Sequence, residues 1–222
     1  MPPNPWFSWT YVTDHVDELL AAGKEHLLIT LASVALAMVV AIPLALLVRR
    51  YPRLRGAVLG LGGVLYTIPA LALISLLWPV FGLSPLTVTI ALAAYALLVV
   101  LRNTLVGLDG VPVDVVDAAR GMGFGPGRML LRVQLPLATP AILAGLRLAT
   151  VSTVGLVTIG ALVGHGGYGT LILGGFIDNF YHAQIMTATV LTVALAIALE
   201  GLLLLLERAL TPWSRARGRT SS

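Results

Sequence analysis

Apolar and polar positions in this chain fall in blocks rather than alternating residue by residue. Five apolar stretches run from about 26 to 48, 56 to 81, 86 to 108, 137 to 163 and 183 to 206. Each is close to the roughly 20 residues that a helix needs to cross a bilayer. The pattern predicts an all-α, polytopic membrane protein of about five transmembrane helices. Residues 1–25 form a polar, aromatic lead-in, where Trp6, Phe7, Trp9 and Tyr11 suit the headgroup layer. Thr13 or Asp14 is a candidate cap for a short helix reaching Leu20. Pro69 and Pro79 interrupt the second stretch, and Pro69 is predicted to kink it, because an internal proline removes one hydrogen bond and crowds the preceding turn.

The longest interruption covers 111–136. Pro112 suits the start of a helix, where its missing N–H costs nothing. Asp114 and Asp117 follow at the positive end of the helix dipole, and Gly121, Gly123 and Gly125 are predicted to stop the helix. Pro126 opens a second segment with Arg128 and Arg132 on one face, and Pro136 is predicted to end it. The expectation is helix, glycine turn, helix on a membrane surface between two spans. A second interruption, GHGGYGTLILGGFIDNFYHAQ, contains an oily run from Tyr168 to Ile177 that predicts a short surface helix. Two readings stay open for it: part of an external gate, with Phe176, Phe180 and Tyr181 packing there or touching a partner, or a lipid-facing interfacial helix.

Composition agrees with the block pattern. The chain has 222 residues, 58% of them hydrophobic and 11% charged, with a mean hydropathy of +0.94. Globular domains carry about 25% charged residues. The net charge of +4 does not point to nucleic acid, because the basic residues lie between the oily stretches. Arg49, Arg50, Arg53 and Arg55 fall in one such gap; Arg120, Arg128 and Arg132 fall in another; Arg208, Arg215, Arg217 and Arg219 follow the last stretch. The opposite side offers only Lys24. This asymmetry predicts the N-terminus outside, with the 111–136 loop and the 208–222 basic tail in the cytoplasm. The opening MPPNPWFSW has no basic start and no short apolar core, so no cleavable signal peptide is expected.

Candidate chemistry is sparse. The absence of cysteine excludes disulfides and thiolate metal sites. His15, His26, His165 and His182 lack metal-ligand spacing, so no metal is expected. Gly164-His165-Gly166-Gly167-Tyr168-Gly169 matches G-x-G-x-x-G but has no strand before it, and reads as a tight turn. The sole lysine follows Gly23 and precedes Glu25, so no phosphate-binding loop with a Lys-Ser/Thr pair is present. No catalytic residue and no cofactor are assigned to this chain. Arg147 and Glu200 are the ionisable residues placed inside spans, and depth alone makes them a candidate intramembrane ion pair. Arg102 and Asp109 read as boundary anchors near the end of the third span.

The long loop also carries a recognisable pattern. Asp117-Ala118-Ala119, three residues, Gly123, nine residues, Val133, one residue, Leu135-Pro136 resembles the coupling-loop motif of bacterial ABC importer permeases. In that family the pattern reads Glu-Ala-Ala, Gly, Ile, Leu-Pro at the same spacing. Thr67 to Ala72, Leu101 to Thr104, Ala118 to Met122, Gln134 to Ala138 and Ile159 to Gly164 are similar to the branch that imports osmoprotectants. The resemblance implies the type I importer permease fold in a bacterial inner membrane. It implies two cytoplasmic ATPase subunits that bind the ATP and magnesium and dock on this loop. It also implies a second permease copy or sister permease, a separate extracytoplasmic substrate-binding protein, and a small quaternary amine such as glycine betaine, carnitine, choline or proline betaine. Alternatives are another small solute, such as an amino acid or sulfonate, or a stand-alone secondary transporter or channel.

Overall fold

A computed structural model of the chain describes residues 4–212. The order is α1 (Trp9–Asp14), α2 (Val16–Arg50), a 3₁₀ turn (Pro52–Leu54), α3 (Arg55–Thr67), α4 (Ala70–Phe81), α5 (Pro85–Asp109) and α6 (Val113–Gly121). There follow α7 (Pro126–Met129), a π turn (Leu130–Gln134), α8 (Leu135–Val157), a 3₁₀ stretch (Thr158–Val163), α9 (Tyr168–Ile177) and α10 (His182–Leu210). Among the described residues, 4 helices are long and apolar enough to cross a membrane, or up to 5 if one sharply bent pair counts as a single span. The arginines of the tail, Arg215, Arg217 and Arg219, lie outside the described residues.

The core is a seam of α2, α5 and α8. Lipid gives helices no hydrophobic reason to associate, so small residues that allow close approach decide which faces meet. On α2 the buried stripe includes Ala37, Ala41 and Ala45 at spacings of one turn, and these meet Ala96, Val100, Leu101 and Leu105 of α5 and Ala149 of α8. Glycine supplies the closest crossings of α5 with α8. A methyl group at Gly107 would run into the Ala138 carbonyl and the Ala141 side chain, and one at Gly145 would overlap Asn103.

The structure corrects several sequence expectations. The first long helix starts at Val16, and the short one before it is capped by Ser8, whose hydroxyl accepts from the Tyr11 amide at 3.2 Å, rather than by Thr13 or Asp14. The second stretch is not a kinked helix but a broken one. Its halves, Pro52–Thr67 and Ala70–Phe81, meet at 98°. Ile68 is extended (φ −67°, ψ 128°), as sterics demand of a residue before proline, and the Tyr95 hydroxyl donates to its freed carbonyl. In the fourth stretch Pro136 does not end a segment. It sits in the first turn of α8, and the helix runs without a break from Pro126 to Val163. The π turn before it, closed by the Leu135 amide on the Leu130 carbonyl, is wider than an α turn and makes room for the proline ring.

Among the described residues the helix α10 is mostly uncovered, with only Ala183, Thr187, Ala188 and Leu199 of it buried. A polar clasp fastens it to α8. Arg147 Nε donates to Glu200 Oε1 at 2.9 Å, and Arg147 Nη1 donates to Glu207 Oε2 at 2.9 Å. The structure thus brings Arg147 and Glu200 together and adds Glu207, two turns along the same face of α10. Arg147→Met strands two carboxylates in a setting of low dielectric. It should destabilise the fold in detergent by up to about 3 kcal/mol, the low end for a broken buried pair because the cluster is partly exposed, and so lower the thermal midpoint. Glu200→Gln, which leaves the Arg147–Glu207 pair neutral, should cost less. The Arg147→Met/Glu200→Gln/Glu207→Gln triple variant should recover most of the loss. Fluorescence-detected size exclusion after heating reads all three.

Candidate functional site

The loop joining α5 to α8 is built around one stop signal. The helix α6 follows Pro112, carries Asp114 in its first turn and Arg120 in its last, and ends in two nested bonds. The Gly123 amide donates to the Arg120 carbonyl at 2.9 Å, and the Phe124 amide donates to the Ala119 carbonyl at 3.1 Å. This closure needs a left-handed residue at Gly123, which has φ +82°. Gly121 and Gly125 have no such requirement: the first belongs to α6 and the second has φ −72°. The stop expected from three glycines therefore rests on Gly123. A side chain there would meet open space, so the constraint is backbone conformation alone.

The motif residues divide by exposure. Ala119 turns inward and is buried, as is Met129 of α7. Asp117, Ala118 and Gly123 face outward. Asp117 and Arg120 pair along α6 at 2.9 Å, both mostly exposed. Around them Val113 and Met122 are 70% and 71% exposed, large apolar groups that no other described residue covers. Arg128 lies over the Phe124 ring at 5.6 Å, bracing the turn. Val133, Leu135 and Pro136 are half-buried, in the π turn and the start of α8. The motif therefore comprises an outward small-residue face and an inward root.

Two polar contacts hold the ends of the loop to the bundle. Ahead of it, Arg55 Nη1 at the start of α3 pairs with Asp109 Oδ2 at the end of α5, at 2.8 Å. Behind it, Arg49 Nη1 in the last turn of α2 donates to Gln134 Oε1 at 3.0 Å. The sequence marks Asp109 as a boundary anchor but does not reveal the partners of Arg49, Gln134 and Glu207. Glu207 was detectable, being one heptad from Glu200. The two arginine contacts span too many residues for any local pattern to reveal them.

At the opposite end of the bundle the glycine-rich turn spends its donors internally. Gly164 (φ +83°) and His165 donate to the carbonyls of Ala161 and Gly160, the same stop as at Gly123. The Gly167 amide donates to Glu25 Oε2 at 3.2 Å, and His165 Nδ1 pairs with Glu25 Oε1 at 2.9 Å. A carboxylate thus occupies this turn and ties α2 to α9. The remaining histidines have separate partners: His15 stacks on Tyr11, His26 donates to the Val154 carbonyl at 2.9 Å, and His182 stacks on Trp6. Phe176 and Phe180 meet edge to face, and Tyr181 packs on Tyr11, whose hydroxyl burial pushes up to about 12.

Comparison with known proteins agrees with this geometry. Residues 33–212 match the family described as "Binding-protein-dependent transport system inner membrane component". The chain is 35% identical over 196 residues to the choline transport system permease protein OpuBB of Bacillus subtilis, covering 88% of this chain and 89% of that protein. It is 35% identical over 204 residues to the carnitine transport permease protein OpuCB of Listeria monocytogenes, covering 91% and 93%. It is 35% identical over 207 residues to the osmoprotectant import permease protein OsmW of Salmonella typhimurium, covering 91% and 96%. Its fold is similar to that of a chain in an inward-facing structure of the MetNI methionine ABC transporter, with a TM-score of 0.81 at 22% identity, covering 89% of this chain and 98% of that one. A membrane-spanning helical bundle with an ordered, apolar-faced loop between its core helices, matched over most of its length by permeases, belongs to the binding-protein-dependent inner membrane component family and is the permease subunit of an ABC importer.

Proposed function

We propose that this permease carries quaternary amine osmoprotectants, of the class of glycine betaine, carnitine, choline and proline betaine, and that the 111–136 loop is where a cytoplasmic ATPase drives it. The names of its relatives at about 35% identity support the cargo. The observation that supports the loop's role is the outward face of α6, where Asp117, Ala118, Val113 and Met122 stand uncovered on a helix terminated by Gly123. Small side chains let such a helix sit deep in a partner's groove. Two ATPase subunits holding ATP and magnesium would each grip one loop of a permease pair, formed with a second copy or a sister chain. Their closure draws the loops together and opens the pathway outward; hydrolysis resets it inward. A separate binding protein delivers the solute from outside. This chain is then pathway and lever, with no bond-making chemistry of its own.

Gly123→Leu forces a branched side chain into a left-handed conformation and should reduce ATP-driven glycine betaine uptake in cells to background, while the protein stays in the membrane at normal level. Normal uptake by that variant would sink the coupling role. Orientation is tested separately. Cysteines at Ser8 and Asp178 should react with an impermeant maleimide in intact cells, and one at Arg53 should react only after lysis. The reverse pattern would put the loop on the wrong side of the membrane for ATP.

A further inference from the structure

The four arginines at the junction of α2 and α3 read, in sequence, as topology signals. Two of them also do something geometric. Arg55 holds Asp109, the last residue of α5 before the loop, and Arg49 holds Gln134, the last residue of the π turn behind it. A single short turn therefore grips the loop at both ends. That turn is stiff: the Tyr51 amide closes on the Leu47 carbonyl at 2.9 Å, Pro52 fixes its own φ, and the Leu54 amide closes on Tyr51 at 2.9 Å.

The helix leading out of the loop is compliant where a lever should be rigid. Between residues 130 and 140 it contains the π turn, then Pro136, then Pro140, so the α-helical bonding is altered or missing in consecutive turns. A push on α6 would be absorbed there by bending unless something shunts it into another element. Arg49 makes that connection at Gln134, within the compliant stretch, and leads to α2, whose Ala37, Ala41 and Ala45 face is the close-packed seam of the bundle. Arg55 leads to α3 and the bend of 98° beyond it. The Arg55–Asp109 pair is half-exposed, so it adds little to stability and its use is positional.

We propose that the α2–α3 turn receives the stroke of the loop, with Arg49 and Arg55 as positioning residues that pass it to α2 and α3. This rests on the coupling role proposed for residues 111–136. The test uses the permease assembled with its ATPase and binding protein in proteoliposomes, measuring radiolabelled glycine betaine uptake and ATP hydrolysis on the same preparation. In the Arg49→Leu/Arg55→Leu variant, solute moved per ATP should fall roughly fivefold or more, the lower end of allosteric coupling, with hydrolysis retained. Arg50→Gln/Arg53→Gln removes the same charge from the same turn and should keep the wild-type ratio. Arg55→Asp alone should lower the ratio, and Arg55→Asp/Asp109→Arg should restore most of it.

Equal loss in both double variants would show that the arginines only set topology, and would overturn the proposal. So would an unchanged ratio in the leucine variant, or hydrolysis and folded yield falling together with uptake. Gly123→Leu run alongside keeps the two readings apart. If it uncouples and the leucine variant does not, the receiver falls and the loop's role stands; if it transports normally, the loop's role falls on its own. A wild-type complex that splits ATP but ignores glycine betaine removes only the cargo reading, and the ratio is then read with carnitine or choline.

Discussion

Close approach between helices in lipid is the constraint on which the rest of this structure depends. In water a leucine-rich face would bring α2, α5 and α8 together; among lipid tails that drive is absent, and van der Waals contact between small residues takes its place. Ala37, Ala41 and Ala45 on α2, Gly107 on α5 and Gly145 on α8 let backbones meet at distances that larger side chains forbid. Much of the exposed apolar surface, from Leu28 and Val39 on α2 to Ile197 and Leu202 on α10, is then free to face lipid or other subunits.

An interruption of a helix frees backbone groups, and four of those here occur where a partner is waiting. The Ile68 carbonyl receives the Tyr95 hydroxyl. The turn at Gly123 closes on Arg120 and Ala119, and the turn at Gly164 closes on Ala161 and Gly160. The π turn before Pro136 re-bonds one residue further along. Unpaired backbone is costly wherever water is excluded, most of all in lipid, and at these breaks the freed groups are answered. Three of the four lie on the chain leading into or out of an element that moves in the proposed cycle.

Charges are handled in the same way. Arg147 answers Glu200 and Glu207 and fastens the poorly covered α10 to the seam, while Glu25 answers His165 and the Gly167 amide at the other end of the bundle. Neither cluster touches the loop. They hold the frame against which it can act, whereas Arg49 and Arg55 connect that frame to the loop itself.

The sequence by itself determined the class and singled out the loop proposed as the site. Block hydropathy dictates membrane helices because lipid tolerates no unsatisfied backbone. The spacing from Asp117 to Pro136 singled out the loop by its resemblance to the importer coupling motif, and Gly123 in it supplies the left-handed stop that ends α6. The helix Tyr168–Ile177 was legible as an oily run between polar, glycine-rich segments. What tertiary structure decided were the effects that depend on neighbours. Pro69 breaks a helix rather than kinking it, and Tyr95, distant in sequence, donates its hydroxyl to the freed Ile68 carbonyl. Pro136 sits inside a helix because the π turn before it makes room. Arg147 gains a second carboxylate, and Arg49 and Arg55 find Gln134 and Asp109, because helices far apart in the chain cross at these points. Local chemistry specifies where a chain turns and what it can offer, but which distant group meets that offer is set only when the small-residue seam has fixed how the helices cross.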